Sequence, residues 1–130
     1  MLSDELKEQM ARAPWAERTG CRLQEVDTGY ARVSLTPDAS HTNFMGTVDG
    51  GLVMSLADYA FACACNTYGD RRVAAHFSTN IINAPELGAE MLAEARTVHA
   101  GRRMAVTEIT VSQQDRVIAR CTGTAITLSD

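Results

Sequence analysis

The chain has 130 residues, of which 45% are hydrophobic and 22% are charged, and its formal net charge is −4. We expect a single domain over residues 1–130, because these values are ordinary for a chain folded around one core. The negative charge argues against nucleic acid as a partner, since phosphate binding needs a basic surface. The sequence lacks an apolar run of the ~20 residues that cross a membrane, so no membrane partner is expected.

The N-terminal segment, residues 1–19, is predicted to be helical. Ser3 is a good N-cap and acidic residues follow it, so we expect a helix over residues 4–13 that Pro14 ends. The first residues, MLSDELKEQM, lack the basic start and the apolar stretch of a secretory signal. This favours a cytoplasmic protein.

Alternation of apolar and polar residues predicts an antiparallel sheet. The predicted strands are residues 23–26, 30–36, 74–83, 91–99, 103–112 and 117–128. The segment from residue 48 or 49 to residue 66 is apolar on every side, which is typical of a helix that is buried on most sides. The expected fold is α+β, with one long helix wrapped by a curved antiparallel sheet of five to six strands.

Four cysteines lie in apolar or strand-like runs, and we expect them to be reduced core thiols. Cys63 and Cys65 are two residues apart on the predicted helix, which points them in different directions and makes a shared metal difficult. The three histidines are separated and show no paired metal-ligand spacing. No metal and no cofactor are therefore expected.

Asp58 is the only acidic residue between Asp49 and Asp70, and it lies in the middle of the long apolar helix. A lone buried carboxylate is costly unless something pairs it or uses it. Gly50 and Gly51 stand at the expected start of the same helix, where backbone N–H groups lack an intrahelical partner and can bind an anion. This combination suggests a site for acyl chemistry.

The residues around Asp58 resemble the motif of the hotdog-fold acyl-CoA thioesterases of the phenylacetate-degradation (PaaI-like) type. The family motif is H-x-N-x-x-G-x-x-H-G-G, followed by a helix with L-A-D or L-A-E. Here residues 41–51 read HTNFMGTVDGG, and residues 56–58 read LAD. Further markers are Asn66, Gly69, Val73-Ala74, Pro85, Leu87-Gly88 and Gly101-Arg102. The likeness covers roughly residues 20–128 and implies a hydrolase of medium-chain or aromatic (phenylacetyl-type) acyl-CoA.

The resemblance implies three catalytic residues. Asp58 would be the base or the nucleophile, the N–H of Gly50 would stabilise the oxyanion, and the side-chain amide of Asn43 would hold the water, the carboxylate or the thioester. The residues leave other interpretations open. Asp58 could be a satisfied buried acid, the glycines could serve packing alone, and Asn43 could form an Asx-turn.

Asp49 is the clear departure from the family motif, which has histidine at this position. Aspartate is a better N-cap than histidine, but its charge would repel an oxyanion or a CoA phosphate nearby. We place Asp49 and the adjacent Gly51 at the substrate-binding end of the helix.

Two further pairs are candidates for substrate binding. His76 and Ser78 share one face of a predicted strand, with ordinary packing as the alternative for His76. Arg102 and Arg103 follow the turn at Gly101, where the resemblance implies contacts with CoA phosphates. The other local pair, Arg71 and Arg72, could likewise dock a small phosphorylated ligand, and solvated turn residues are the alternative for both pairs.

The spacing of Gly50 and Asp58 predicts a site shared between subunits. Eight residues correspond to ~12 Å along one helix, whereas reacting atoms must come within ~3–3.5 Å of each other. The two groups should therefore come from different subunits across a two-fold axis, as the resemblance also implies. We expect an obligate homodimer or a dimer of dimers (homotetramer).

Two other functions compete with hydrolysis. A non-catalytic hotdog module could bind acyl-CoA or an acyl carrier protein, and the departure at Asp49 favours this alternative. A hotdog hydratase is disfavoured, because the paired Asp and His of its overhanging loop are not visible in the sequence.

Overall fold

The computed structural model describes residues 2–129, which form three α-helices and one six-stranded antiparallel sheet. The helices are α1 (Asp4–Ala11), α2 (Pro14–Thr19) and α3 (Gly50–Cys65). The strands are β1 (Arg22–Asp27), β2 (Tyr30–Leu35), β3 (Arg72–Ile81), β4 (Met91–Ala100), β5 (Met104–Gln113) and β6 (Arg116–Thr127). Their order in the sheet is β1-β2-β4-β5-β6-β3, so that β1 and β3 are the edges. This confirms the predicted α+β fold.

The N-terminal segment differs from its prediction. α1 ends at Ala11, and Pro14 begins the short helix α2. Proline fits the first position of a helix because the N–H that it lacks has no intrahelical partner there. Gly20 ends α2 in the left-handed conformation, with φ of 89°. The sequence signal that stops one helix therefore starts the next.

α3 lies across the sheet and supplies the centre of the core. Ten of its sixteen residues are buried, among them Leu56, Ala60 and Phe61. Burial is not complete, however, because the sheet covers one side of the helix only. Met54, Asp58 and Ala62 are exposed and follow one another at one-turn spacing. We call these three residues the open stripe of α3.

All four cysteines are buried and free, as expected for core thiols. Burial raises the pKa of Cys63 to about 12 and the pKa of Cys65 to about 11, so both thiols stay protonated near neutral pH. Within residues 2–129, the helices are too short or too polar to cross a bilayer.

Gly123 on β6 is required where the strand passes under the ring of Phe61 of α3. A Cβ atom at this position would lie 2.8 Å from the ring of Phe61, which is 1% exposed and packs against Phe77 at 5.7 Å between ring centroids. We expect Gly123→Ala to lower the free energy of unfolding by ~1–3 kcal/mol through overpacking, as measured by urea denaturation. In the Phe61→Leu background the same change should cost less. Equal costs in both backgrounds would contradict the contact.

Candidate active site

The first turn of α3 leaves one backbone donor free. The carboxylate of Asp49 accepts from the N–H of Gly51 (Oδ2···N 2.9 Å), and the N–H of Leu52 donates to the carbonyl of Asp49. Among residues 2–129, the N–H of Gly50 has no acceptor. The N-cap role of Asp49 is thus confirmed, and the helix dipole favours an anion at the free N–H of Gly50.

Asp58 lies on the open stripe, two turns beyond Gly50. The sequence predicts a buried carboxylate, but the residue is exposed because it lies on the side of α3 that the sheet does not cover. Its carboxylate has no hydrogen-bond or ion-pair partner among residues 2–129. Neighbouring atoms still shield it partly from water, and this desolvation raises its pKa above the ordinary value for aspartate. An unpaired acid with a raised pKa on an open surface is a candidate for proton transfer or nucleophilic attack.

Asn43 builds the loop that precedes α3. Its Oδ1 accepts from the N–H of Met45 (3.0 Å) and from both the N–H and the Oγ1 of Thr47 (3.2 and 3.1 Å). The side-chain oxygen of Asn43 therefore forms an Asx-turn, as one interpretation of the sequence predicts. The Nδ2 group has no acceptor among residues 2–129 and can donate to a ligand. The loop fixes the amide, and its tip presents Phe44, which is 96% exposed.

His41, the first residue of the motif, is a structural residue. Its Nδ1 accepts from the N–H of Asp38 (3.0 Å), and its Nε2 donates to the carbonyl of Thr19 (2.8 Å). Its own carbonyl accepts from the N–H of Asp49 at 2.9 Å. His41 thereby ties α2 to the start of α3, and both of its ring nitrogens are occupied.

His76 and Ser78 lie on the face of β3 that points away from α3. Phe77 between them packs against Phe61 of α3, and side chains alternate along a strand. A bulge between Ala74 and His76 sets this register. Within one chain, therefore, the structure does not bring these two residues to Asp58.

Arg72 does not take part in a surface site. Its side chain is 3% exposed, and its Nη2 donates to Asp70 (3.1 Å) and to the carbonyl of Gly101 (2.7 Å). The guanidinium also lies over the ring of Tyr68, 5.7 Å from its centroid. Arg72 thus fastens the turn before β3 to the β4–β5 turn. The suggestion that both arginine pairs dock a phosphorylated ligand is wrong for this residue.

The other three members of the two arginine pairs gather at one corner of the molecule. Arg71, Arg102 and Arg103 are exposed. The end of β6 lies between them, because the N–H of Leu128 donates to Arg71 and that of Thr127 donates to Arg103, each at 2.8 Å. The sequence shows the pairs, but only the fold shows that three cations from two turns share one surface. We call this surface the arginine corner.

The chain is similar to known proteins over the region that contains this site. Residues 45–119 match the family model described as "Thioesterase superfamily", a range that includes Gly50 and Asp58. Over 109 residues the chain is 33% identical to acyl-coenzyme A thioesterase PaaI of Escherichia coli K12, across 83% of this chain and 78% of that protein.

Solved structures agree with the sequence matches. The structure of E. coli PaaI, from the phenylacetic acid degradation operon, has a TM-score of 0.87 and 28% identity, covering 96% of this chain and 95% of that one. The smu.793 protein of Streptococcus mutans UA159, solved bound to acetyl CoA, has a TM-score of 0.79 and 25% identity, covering 83% and 88%. These likenesses confirm the fold that the motif implied.

Proposed function

Because the chain belongs to the thioesterase superfamily and is a thioester hydrolase, we propose that it cleaves medium-chain or aromatic (phenylacetyl-type) acyl-CoA to the free acid and CoA. The observation that carries this proposal is the unpaired carboxylate of Asp58 on the open stripe of α3. The names of its relatives, an acyl-coenzyme A thioesterase and a protein bound to acetyl CoA, support the substrate class.

Asp58 acts as the base or the nucleophile. As a base, it takes a proton from the water that attacks the thioester carbonyl; as a nucleophile, its carboxylate attacks the carbonyl carbon directly. The carbon–sulfur bond then breaks, and CoA leaves as a thiolate that takes up a proton. In the nucleophilic route the acyl group stays on Asp58 as a mixed anhydride, and water then hydrolyses it to the free acid and restores the carboxylate. The raised pKa of Asp58 suits it to either role, because a more basic carboxylate accepts a proton more readily.

The N–H of Gly50 stabilises the oxyanion, because it lacks a partner and lies at the positive end of the helix dipole. The free Nδ2 of Asn43 supplies a second polar contact to the water or the thioester. We place Gly51 beside the substrate, and glycine makes room there for the capping carboxylate, since a Cβ atom would lie 2.7 Å from Oδ2 of Asp49. The charge of Asp49 is moderated by the hydrogen bond that it accepts as N-cap.

Each site combines two subunits. Gly50 and Asp58 are too far apart on one helix to reach one carbonyl group. The surface for a second copy is the outer edge of β3, which pairs only with β6 on its other side and exposes Val73 and Ile81. A long edge strand that exposes apolar side chains is a ready template for pairing with another chain. A Cβ atom on Gly50 would lie 3.4 Å from Ile81, so the free N–H stands next to this edge. We therefore propose a homodimer, alone or paired into a tetramer.

The arginine corner holds the CoA phosphates. Guanidinium groups suit phosphate through paired hydrogen bonds, and Arg102 and Arg103 are exposed with Arg71 beside them. His76 and Ser78 face away from α3 in their own chain. Any contact that they make with substrate is therefore along the CoA moiety or near the β3 edge of the partner subunit.

Free thiol release from a panel of acyl-CoA esters tests the proposal. We expect turnover of medium-chain esters and phenylacetyl-CoA without added metal. The competing function is a non-catalytic module that binds acyl-CoA or acyl carrier protein, and the negative charge of Asp49 at the helix start favours it. Tight CoA binding with no thiol released from any ester would establish that alternative and overturn the proposal.

A further inference from the structure

Between α1 and the second half of α3 lies a mostly apolar cleft, which borders the arginine corner at Arg71 and otherwise has no role in the proposal above. Its volume is about 400 Å³, within the ~300–1,000 Å³ of small-molecule sites. Its walls are mostly apolar, with Leu6, Met10 and Ala13 on one side and Tyr59, Ala62 and Cys63 on the other, and the remaining lining residues are Gln9, Asn66, Gly69, Asp70 and Arg71.

The cleft opens beside the proposed catalytic acid. Ala62 lines the cleft and also belongs to the open stripe, four residues after Asp58. Four residues correspond to ~6 Å along a helix. A carbonyl group held at Asp58 therefore lies within a few bond lengths of the part of the cleft that Ala62 lines, and the small side chain of Ala62 leaves room for an acyl chain to enter.

The apolar walls of the cleft suit a neutral, apolar group. The hydroxyl of Tyr59 already donates to the carbonyl of Met10 (2.6 Å). The thiol of Cys63 stays protonated near neutral pH, since burial and the nearby Cys65 raise its pKa to about 12. Along the apolar walls the amides of the pantetheine arm of CoA would lack partners, whereas an acyl chain needs none.

α1 forms one wall of the cleft and packs only partly against the core. Not one of its residues is buried, although Met10 and the nearby Ala13 pack partly against the core. The bond from Tyr59 to Met10 fixes its distance from α3. The position of α1 therefore sets the width of the cleft.

We propose that this cleft binds the acyl group of the substrate, with Ala62 and Met10 as specificity-determining residues. The inference rests on the proposed function for its substrate and deepens it by naming where chain length is selected. It makes α1 part of the substrate site.

Substitution of Ala62 tests the inference through chain-length preference. Ala62→Phe should block the cleft mouth and lower kcat/KM for decanoyl-CoA and phenylacetyl-CoA by about tenfold or more relative to acetyl-CoA. The matched control is Ala11→Phe, because Ala11 is exposed on α1 and does not line the cleft. An unchanged ratio of decanoyl-CoA to acetyl-CoA hydrolysis in Ala62→Phe would overturn the proposal.

A second variant and a binding measurement cover the remaining outcomes. If Ala62→Phe also loses acetyl-CoA hydrolysis, Met10→Phe on the opposite wall decides, since it should narrow the cleft without touching Asp58.

Decanoate binding by calorimetry needs no turnover: the wild type should bind, and Ala62→Phe should bind about tenfold more weakly or not at all. Equal binding by both proteins would reject the cleft even if esters are hydrolysed. Decanoate binding that Ala62→Phe weakens, in a protein that hydrolyses no ester, would support the cleft while rejecting the proposed function.

Discussion

Asp58→Asn should lower kcat for acyl-CoA hydrolysis by about 10²–10⁴-fold, the usual contribution of a positioned acid or base. Asparagine has nearly the same shape as aspartate but neither takes up a proton near neutral pH nor attacks a thioester as a carboxylate does. The matched control is Glu108→Gln, which removes an exposed carboxylate from β5 between the buried residues Thr107 and Ile109, on the side of the sheet away from α3. Unchanged turnover in Asp58→Asn would remove this residue from the mechanism.

The same variant should be slightly more stable than the wild type at neutral pH. The pKa of Asp58 is raised in the folded chain by desolvation, so the folded state holds the proton more strongly than the unfolded state. Stability then falls as pH rises from the ordinary aspartate pKa of ~3.9 through the higher folded value. Asp58→Asn should therefore raise Tm at pH 7, and this gain should vanish below pH ~3.9. A lower Tm at pH 7 would mean that the carboxylate stabilises the fold.

The sheet and the long helix could be predicted from sequence because their patterns are local. Ala31, Val33 and Leu35 alternate with more exposed or polar neighbours and are all buried, as a half-buried strand requires. The open stripe of α3 could not be predicted in the same way. Ala62 is as apolar as its buried neighbour Ala60, and only the position of the sheet decides which of them is covered.

The parts of the candidate site that depend on position along α3 could be predicted from the sequence. The parts that depend on packing could not. A glycine at the first position of α3 and an acid two turns later follow from the order of residues. The burial of Arg72 beside the exposed Arg71 does not, because it depends on Asp70 and on the β4–β5 turn. The bulge before His76 likewise sets its face without a glycine or proline in the strand to signal it.

Gly50→Pro should remove the oxyanion donor without disturbing the helix. Proline is favoured at the first helical position, and the backbone of Asp49, with φ of −64° and ψ of 134°, has the conformation that precedes proline. We expect kcat to fall by about 10²–10³-fold. Gly50→Ala adds a side chain in ordinary contact with Ile81 but keeps the N–H, so it should lose far less activity. Equal losses in the two variants would attribute the effect to the added side chain.

Mixing the two inactive variants tests whether each site is shared. If Asp58 of one subunit works with Gly50 of its partner, a dimer of one Asp58→Asn chain and one Gly50→Pro chain carries both defects in one site and none in the other. Random pairing after co-expression makes half of the dimers mixed, so total activity should recover to about a quarter of the wild-type value. If both groups came from the same chain, every site would carry one defect and the mixture would stay as inactive as its components. Recovery of activity would therefore require a second copy to complete the site, which links the unpaired N–H at the start of α3 to the uncovered edge of β3.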